Sequence, residues 1–172
     1  MKGLILGHAQ HAKDTFAEML GMSYSSSSEK ALDLFLFESL NQNRTIEGIE
    51  PYNSKKEAYD DRFNNRATWY SEICVFNEHD KARLAKEILR DSDIYVGMRS
   101  NEEYQECIKQ DIFDFIIWID ASKRKPLEPK SSMSIEFDKE KMIYIDNNSG
   151  LSELKDQAEN LIKFLDLEHG YE

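Results

Sequence analysis

Apolar residues along this chain recur in two rhythms. Short unbroken runs rich in β-branched and aromatic residues lie at residues 2–6, at Ile94-Tyr95-Val96, at Phe115-Ile116-Ile117-Trp118-Ile119 and at Met142-Ile143-Tyr144-Ile145, and each predicts a buried strand. A weaker, serine-rich strand is predicted over residues 22–26. Between the strands, apolar residues three and four apart over 28–40 and 81–90 predict amphipathic helices. The cleanest helical face is Leu151, Leu154, Ala158, Leu161, Ile162 and Leu165, with Ser149-Gly150 ahead of it as a cap. Strands alternating with helices predict an α/β fold with a largely parallel sheet. Residues 41–55, polar with Gly48 and Pro51, read as a loop, and 121–134, with Pro126 and Pro129, as a surface excursion between core strands.

Composition narrows the picture. At 172 residues the chain fits one domain, residues 1–172, with a single sizeable core. No apolar run approaches a membrane span, so no membrane partner is expected. A formal charge of -11 disfavours a nucleic-acid partner, while leaving room for a small anion in a local basic pocket. Cys74 and Cys107 are far apart and read as buried free thiols, which suits a cytoplasmic setting.

The chemistry-bearing stretch is GHAQHAKDT, residues 7–15, directly after the first strand. It follows the phosphate-loop spacing G-x-x-x-x-G-K-[ST], with Ala12 at the second glycine and Asp14 after the lysine. Strand, loop and a lysine in the first helical turn form the context that such a loop requires. Free N–H groups and the positive helix end attract anions there, and Lys13 would serve as the counter-charge for β- and γ-phosphates. Gly7 permits close approach of bare backbone, whereas Ala12 carries a cost of about 1 kcal/mol if its φ is positive. Asp14 is a candidate ligand of Mg²⁺, which prefers hard oxygens, and Thr15 a donor to the α-phosphate. Gly7, Ala9, His11, Ala12, Lys13, Asp14 and Thr15 are therefore the candidate cofactor-binding set. An ordinary strand-to-helix turn with an exposed lysine is the competing reading.

GHAQHAKDT resembles the G-x-x-x-x-G-K-D-T loop of the bacteriophage deoxynucleoside monophosphate kinases. The serines after the first helix, YDDRFNNRATWY (59–70), NEHDKARLAKEI (77–88), IYVGMRSNEEYQE (94–106), FIIWIDASKRK (115–125) and IDNNSGLSEL (145–154) follow in the order found in such proteins. The resemblance spans nearly the whole chain. Ala12 departs from it, and so does Gly97-Met98-Arg99, which stands where a Walker-B acid would follow the third strand. The resemblance implies the P-loop kinase fold: a five-stranded parallel sheet with helices on both faces. It also implies an acceptor-nucleotide region at about 22–80 and a lid at about 121–134. The implied reaction is transfer of the γ-phosphoryl group of ATP, with Mg²⁺, to a (deoxy)nucleoside monophosphate. The implied setting is cytoplasmic, in the host if the source is a phage, with small-molecule nucleotides as partners and a homodimer left open.

Such a reaction needs cations around the transferring group more than covalent chemistry. Lys13, Arg99 and Arg124 are the candidate catalytic cations; Arg99 ends the third strand and Arg124 lies in the lid segment. Arg62 and Arg66, four apart on a predicted helix, are candidates for the acceptor phosphate, or else partners of Asp60 and Asp61. Trp69 stands one turn on, to stack on a base or fill the core. Ser25 and Ser26 are candidates for the acceptor sugar or base edge, and Ser28 for a helix cap. Asn147 lies beside the adenine or in a plain turn. His8 and His11 have H-x-x-H spacing but lack further ligands nearby, and Cys74 with His79 lacks an orienting group. Glu102, Glu103 and Glu106 read as a solvated helix face. Two other functions stay open: a catalytically impaired nucleotide-binding or regulatory protein, motivated by Ala12, and a phage kinase acting on a modified base in DNA, motivated by Lys123, Arg124, Lys125 and Lys130.

Overall fold

Strand β1 (Gly3–Leu6) is buried along its whole length, as the central strand of a two-sided sheet must be. In the computed structural model, which describes residues 1–169, β1 pairs in parallel with β3 (Ile94–Val96) on one side and with β4 (Phe115–Asp120) on the other. Strands β2 (Tyr24–Ser26) and β5 (Ile143–Asp146) close the edges, giving the five-stranded parallel order β2-β3-β1-β4-β5. Leu4 and Leu6 face one apolar cluster while Ile5 faces the other, the alternation expected of pleated strands. The first cluster is covered by Leu32, Leu36, Trp69, Leu84 and Ile88, the second by Phe16, Leu20, Leu154 and Leu161. Helices therefore cover both faces of a five-stranded parallel sheet, with a loop-to-helix passage after the central strand, the α/β architecture expected from the sequence. No helix among the described residues is long and apolar enough to cross a membrane.

The helices are α1 (Lys13–Leu20), α2 (Ser27–Ala31), α3 (Phe37–Ile46), α4 (Lys55–Asp60), α5 (Arg66–Phe76), α6 (Arg83–Asp91), α7 (Asn101–Lys109) and α8 (Leu151–His169). A π-helical turn, Leu32–Leu36, joins α2 to α3 without a break. The helix therefore runs through residues 41–46, which the sequence reading placed in a loop. Asn41 explains this: its side-chain oxygen accepts from Tyr52 N–H at 2.7 Å and its amide donates to Tyr52 O at 3.2 Å. These bonds fasten the returning chain to the helix, so polar residues that look loop-like serve as the fastening. The excursion at 121–134 is largely exposed over residues 122–131, as expected, yet it is tied down at its end. Met133 and Ser132 are buried, and the segment is stitched to the sheet end by Ser134 N–H donating to Arg99 O at 2.9 Å. Both cysteines are free, with Cys107 buried and Cys74 half-buried.

The ends of β1 and β4 meet so tightly that Gly7, at φ 145°, has no room for a side chain: a Cβ there would lie 2.5 Å from Ile119 O. This close approach aims the loop after β1 across the carboxyl edge of the sheet, where ligands of open α/β folds collect. Ala12 sits at φ 70° and ψ 36°, a left-handed conformation that glycine adopts at lower cost. Ala12→Gly is expected to raise the unfolding free energy by about 1 kcal/mol, read as an increased midpoint in urea at unchanged slope.

Candidate active site

The loop after β1 turns into α1 with no side-chain cap, and the first helical bond is Phe16 N–H to Ala12 O at 3.0 Å. The amides of Lys13, Asp14 and Thr15 precede it and have no intrahelical acceptor, so they point out of the helix end as a ready anion site. The loop is held from beneath by two buried side chains. His11 Nδ1 accepts from Ala121 N–H at 3.0 Å, and Asn147 Nδ2 donates to His11 O at 3.0 Å. His11 and Asn147 are thus structural supports of the loop. Burial keeps both His8 and His11 below their ordinary range, so they are neutral at pH 7.

A cavity of about 450 Å³, including its open mouth, lies above this loop and is walled by Ala9, Lys13, Asp14, Ser26, Ser28, Arg62, Arg66 and Arg99 among others. It adjoins a second, narrow space walled by Ser27, Ser28, Arg62, Arg66, Trp69, Tyr70, Ile73 and Arg99. Four of the predicted cations, Lys13, Arg62, Arg66 and Arg99, therefore converge on one space. Lys13 Nζ donates to His8 O at 2.7 Å and is only 9% exposed. Burial, with Arg99 nearby, pulls its pKa down to about 7. Gly97, at φ 86°, passes within 3.7 Å of Lys13 Cε measured from where its Cβ would be, which leaves the lysine stem its channel. Arg62 lies in a 3-10 turn and Arg66 opens α5, so the two share the cavity without sharing one helix. Neither pairs with Asp60 or Asp61. Arg62 stacks on Tyr59, 3.7 Å from the ring centre, and Arg66 on Phe63 at 4.6 Å.

Arg66 and Arg99 share a partner that the sequence reading missed. Glu128, in the segment between β4 and β5, places Oε1 at 2.6 Å from Arg99 Nη1 and 3.0 Å from Arg66 Nη1. Its Oε2 accepts from Ala9 N–H at 2.7 Å, and its own N–H donates to His8 Nδ1 at 3.0 Å. Burial opposes ionisation of Glu128, but Arg99 and Arg66 outweigh it and hold the carboxyl below the ordinary range. No local pattern around Leu127-Glu128-Pro129 announces this, because the contact depends on where the segment is tied down.

Other predicted residues lie elsewhere. Arg124 does not line either cavity; it is exposed, and its Nε donates to Asn147 O at 2.6 Å. Ser25 turns away, bonded to Ser92 Oγ at 2.8 Å, while Ser26 caps α2 by accepting from Glu29 N–H at 3.2 Å. The cap is therefore Ser26 and not Ser28, which lines the cavity. Trp69 is buried on the cavity wall with its indole N–H unpartnered. Asp14 and Thr15 stand in the first turn of α1, with Asp14 exposed on the cavity rim. Among the described residues no group of three or more His, Cys, Asp or Glu side chains forms a metal site.

The acidic run on α7 corrects the sequence reading. Glu102 pairs with Lys81 at 3.0 Å, as a solvated face would, but Glu103 is 2% exposed and accepts from Tyr95 O–H at 2.9 Å. Burial without a cation pushes its carboxyl up to about 8.

No family model matches the chain, and no curated protein matches it. Solved structures similar to it include an unliganded sugar kinase from Janibacter sp. HTCC2649, 12% identical, with a TM-score of 0.44 over 94% of both chains. Another is a gluconokinase from Sinorhizobium meliloti 1021, 12% identical, with a TM-score of 0.46 over 99% of this chain and 97% of the other. Likeness this distant contributes nothing to the substrate assignment.

Two measurements follow from the shifted groups. Because the Glu103 carboxyl is raised in the folded state from 4.5 to about 8, its stabilising contribution is complete below pH 4.5 and lost as pH rises through 8. The difference in Tm between wild type and Glu103→Gln should therefore move steadily in favour of the variant across that window. Lys13, half-neutral near pH 7, should regain its proton when phosphates arrive. Calorimetric titration with ATP at pH 8 in buffers of different ionisation enthalpy should show uptake of about one proton per nucleotide, absent in Lys13→Met.

Proposed function

We propose that this chain is an ATP-dependent phosphotransferase that converts a (deoxy)nucleoside monophosphate to its diphosphate. The observation that carries this reading is the meeting of Lys13, Arg62, Arg66 and Arg99 with the unpaired first-turn amides of α1 around one cavity of a protein whose formal charge is -11. Concentrating positive charge against that background favours a polyanionic ligand.

The division of labour follows from position. The first-turn amides of α1 and Lys13 take the donor triphosphate. Arg62, Arg66 and Arg99 take the acceptor phosphate, and Trp69, Tyr70 and Ile73 line the narrow space behind them. An acceptor phosphate oxygen forms its bond to the γ-phosphorus as the bond from that phosphorus to the bridging oxygen breaks, leaving ADP. Negative charge spread over the transferring group is met by fixed cations that need no rearrangement. An acceptor phosphate is already a nucleophile at pH 7, so the step asks for no general base.

Mg²⁺ is held in such sites by one or two carboxylates together with phosphate oxygens. Asp14 fits that role: its carboxylate is exposed on the cavity rim and takes part in no ion pair among the described residues. When bound, the ion would neutralise part of the triphosphate charge. Asp120 and Asp146, the acids that end β4 and β5, are already committed, Asp120 to Ser122, Tyr144 and Asn148 and Asp146 to Asn148.

A catalytically impaired nucleotide-binding protein is the second reading, favoured by the left-handed alanine at position 12. The loop it belongs to nonetheless keeps Lys13 and the helix end aligned on the cavity. Incubation with ATP, Mg²⁺ and a panel of (deoxy)nucleoside monophosphates, analysed by chromatography for diphosphates, decides between the two. A product is expected for at least one acceptor, with kcat/KM reduced about 10³-fold in Arg99→Ala. Absence of product for every acceptor, with ATP binding retained, would favour the second reading.

A further inference from the structure

Two guanidiniums in this site converge on one oxygen atom of Glu128. Like charges at that separation repel, so the arrangement needs an anion between them, and Glu128 is the one carboxylate within ion-pair distance of either arginine among the described residues. The second carboxylate oxygen takes a backbone amide of the phosphate loop, at Ala9. Two arginine forks and a loop N–H are the partners a phosphate group takes at a kinase site. Glu128 is brought to them by a segment with its own fastenings: Ser132 O accepts from Arg99 Nη1 at 3.2 Å, and His11 Nε2 lies 3.3 Å from Pro126 O.

We propose that Glu128 is a built-in stand-in for substrate phosphate: in the free protein its carboxylate fills the Arg66–Arg99–Ala9 cradle, and the acceptor's phosphate binds by displacing it. The proposal rests on the reading of the cavity as a phosphoryl-transfer site and adds a regulated step to it. Carboxylate and phosphate cannot share the same three donors. The phosphate brings more charge and an additional oxygen, so it wins once the acceptor's base adds its own contacts. A free inorganic anion, lacking those contacts, competes poorly. The site thereby rejects small anions while accepting a nucleotide, and the arginines are never left uncompensated. Displacement also frees the Glu128 N–H from His8 and so unlatches the segment over the phosphate loop.

The test compares wild type with Glu128→Gln and Glu128→Asp in chloride buffer. Glutamine keeps the shape but removes the charge; aspartate keeps the charge but is one methylene too short to span both arginines and the Ala9 amide. Inorganic phosphate should raise the Tm of both variants at concentrations, about tenfold lower, that leave wild type unmoved, and the acceptor KM should fall about tenfold in Glu128→Gln. In wild type, the His8 ring resonances should shift when a nucleoside monophosphate is added. That measurement needs no variant, and it decides the matter if the variants fail to fold. Unchanged or weaker phosphate binding in folded variants would overturn the proposal. So would a hundredfold fall in kcat at constant KM, which would assign Glu128 a proton-transfer role toward a hydroxyl acceptor. Still His8 resonances on saturation with nucleotide would overturn it as well. Failure of the kinase reading is separate: it appears as no diphosphate product from any acceptor, while the response of the variants to phosphate persists.

Discussion

Cations gathered around one cavity must be held together before any anion arrives, and electrostatics opposes that. Lys13, Arg66 and Arg99 are all largely removed from water and face one another across a narrow space. Burial first, and Arg99 beside it, hold the lysine pKa down to about 7. Glu128 is the compensation, and much of the local architecture serves to deliver it. The segment between β4 and β5 is pinned at Ser132 and Ser134 on one side and at Pro126 on the other, so that one carboxylate lands between two arginines. A buried charge pair whose members are both satisfied is tolerable; removing either partner would strand the other at a cost of roughly 3–5 kcal/mol.

The cradle itself depends on contacts far apart in sequence. Gly7 lets β1 and β4 approach, His11 ties the loop to the end of β4, and Asn147 ties it to the end of β5. Each fixes a backbone atom, not a side chain that touches substrate. This explains how an alanine is accommodated at position 12. The loop's path is determined by its neighbours, and the strain of one left-handed residue, about 1–2 kcal/mol, is carried by the surrounding bonds.

The fold was largely legible because strands β1, β3 and β4 are continuous apolar runs and α8 has an unbroken apolar stripe. The β2 edge was faint for a physical reason: Ser25 and Ser26 spend their hydroxyls on Ser92 and on the α2 cap, so hydrophobicity does not mark the strand. The lysine and the arginines were legible by their places after strands and at helix starts. Glu103 and Glu128 were not, since an acid looks the same in sequence whether water or a buried hydroxyl solvates it. Only the three-dimensional partners, Tyr95 for one and Arg66 with Arg99 for the other, make these acids exceptional. Arg124 and Ser25 were misplaced by the same limit, because proximity in a motif says nothing about which way a side chain turns.

The centrality of β1 has a consequence for how the protein comes into being. This strand precedes both of its partners, residues 94–96 and 115–118, by about ninety residues or more, so it must wait for them to be made. The phosphate loop that follows it gains its last tether only when Asn147 emerges. Until β3 and β4 emerge, an apolar tetrapeptide with open backbone edges stays unpaired in the nascent chain, the kind of edge that invites association with other chains.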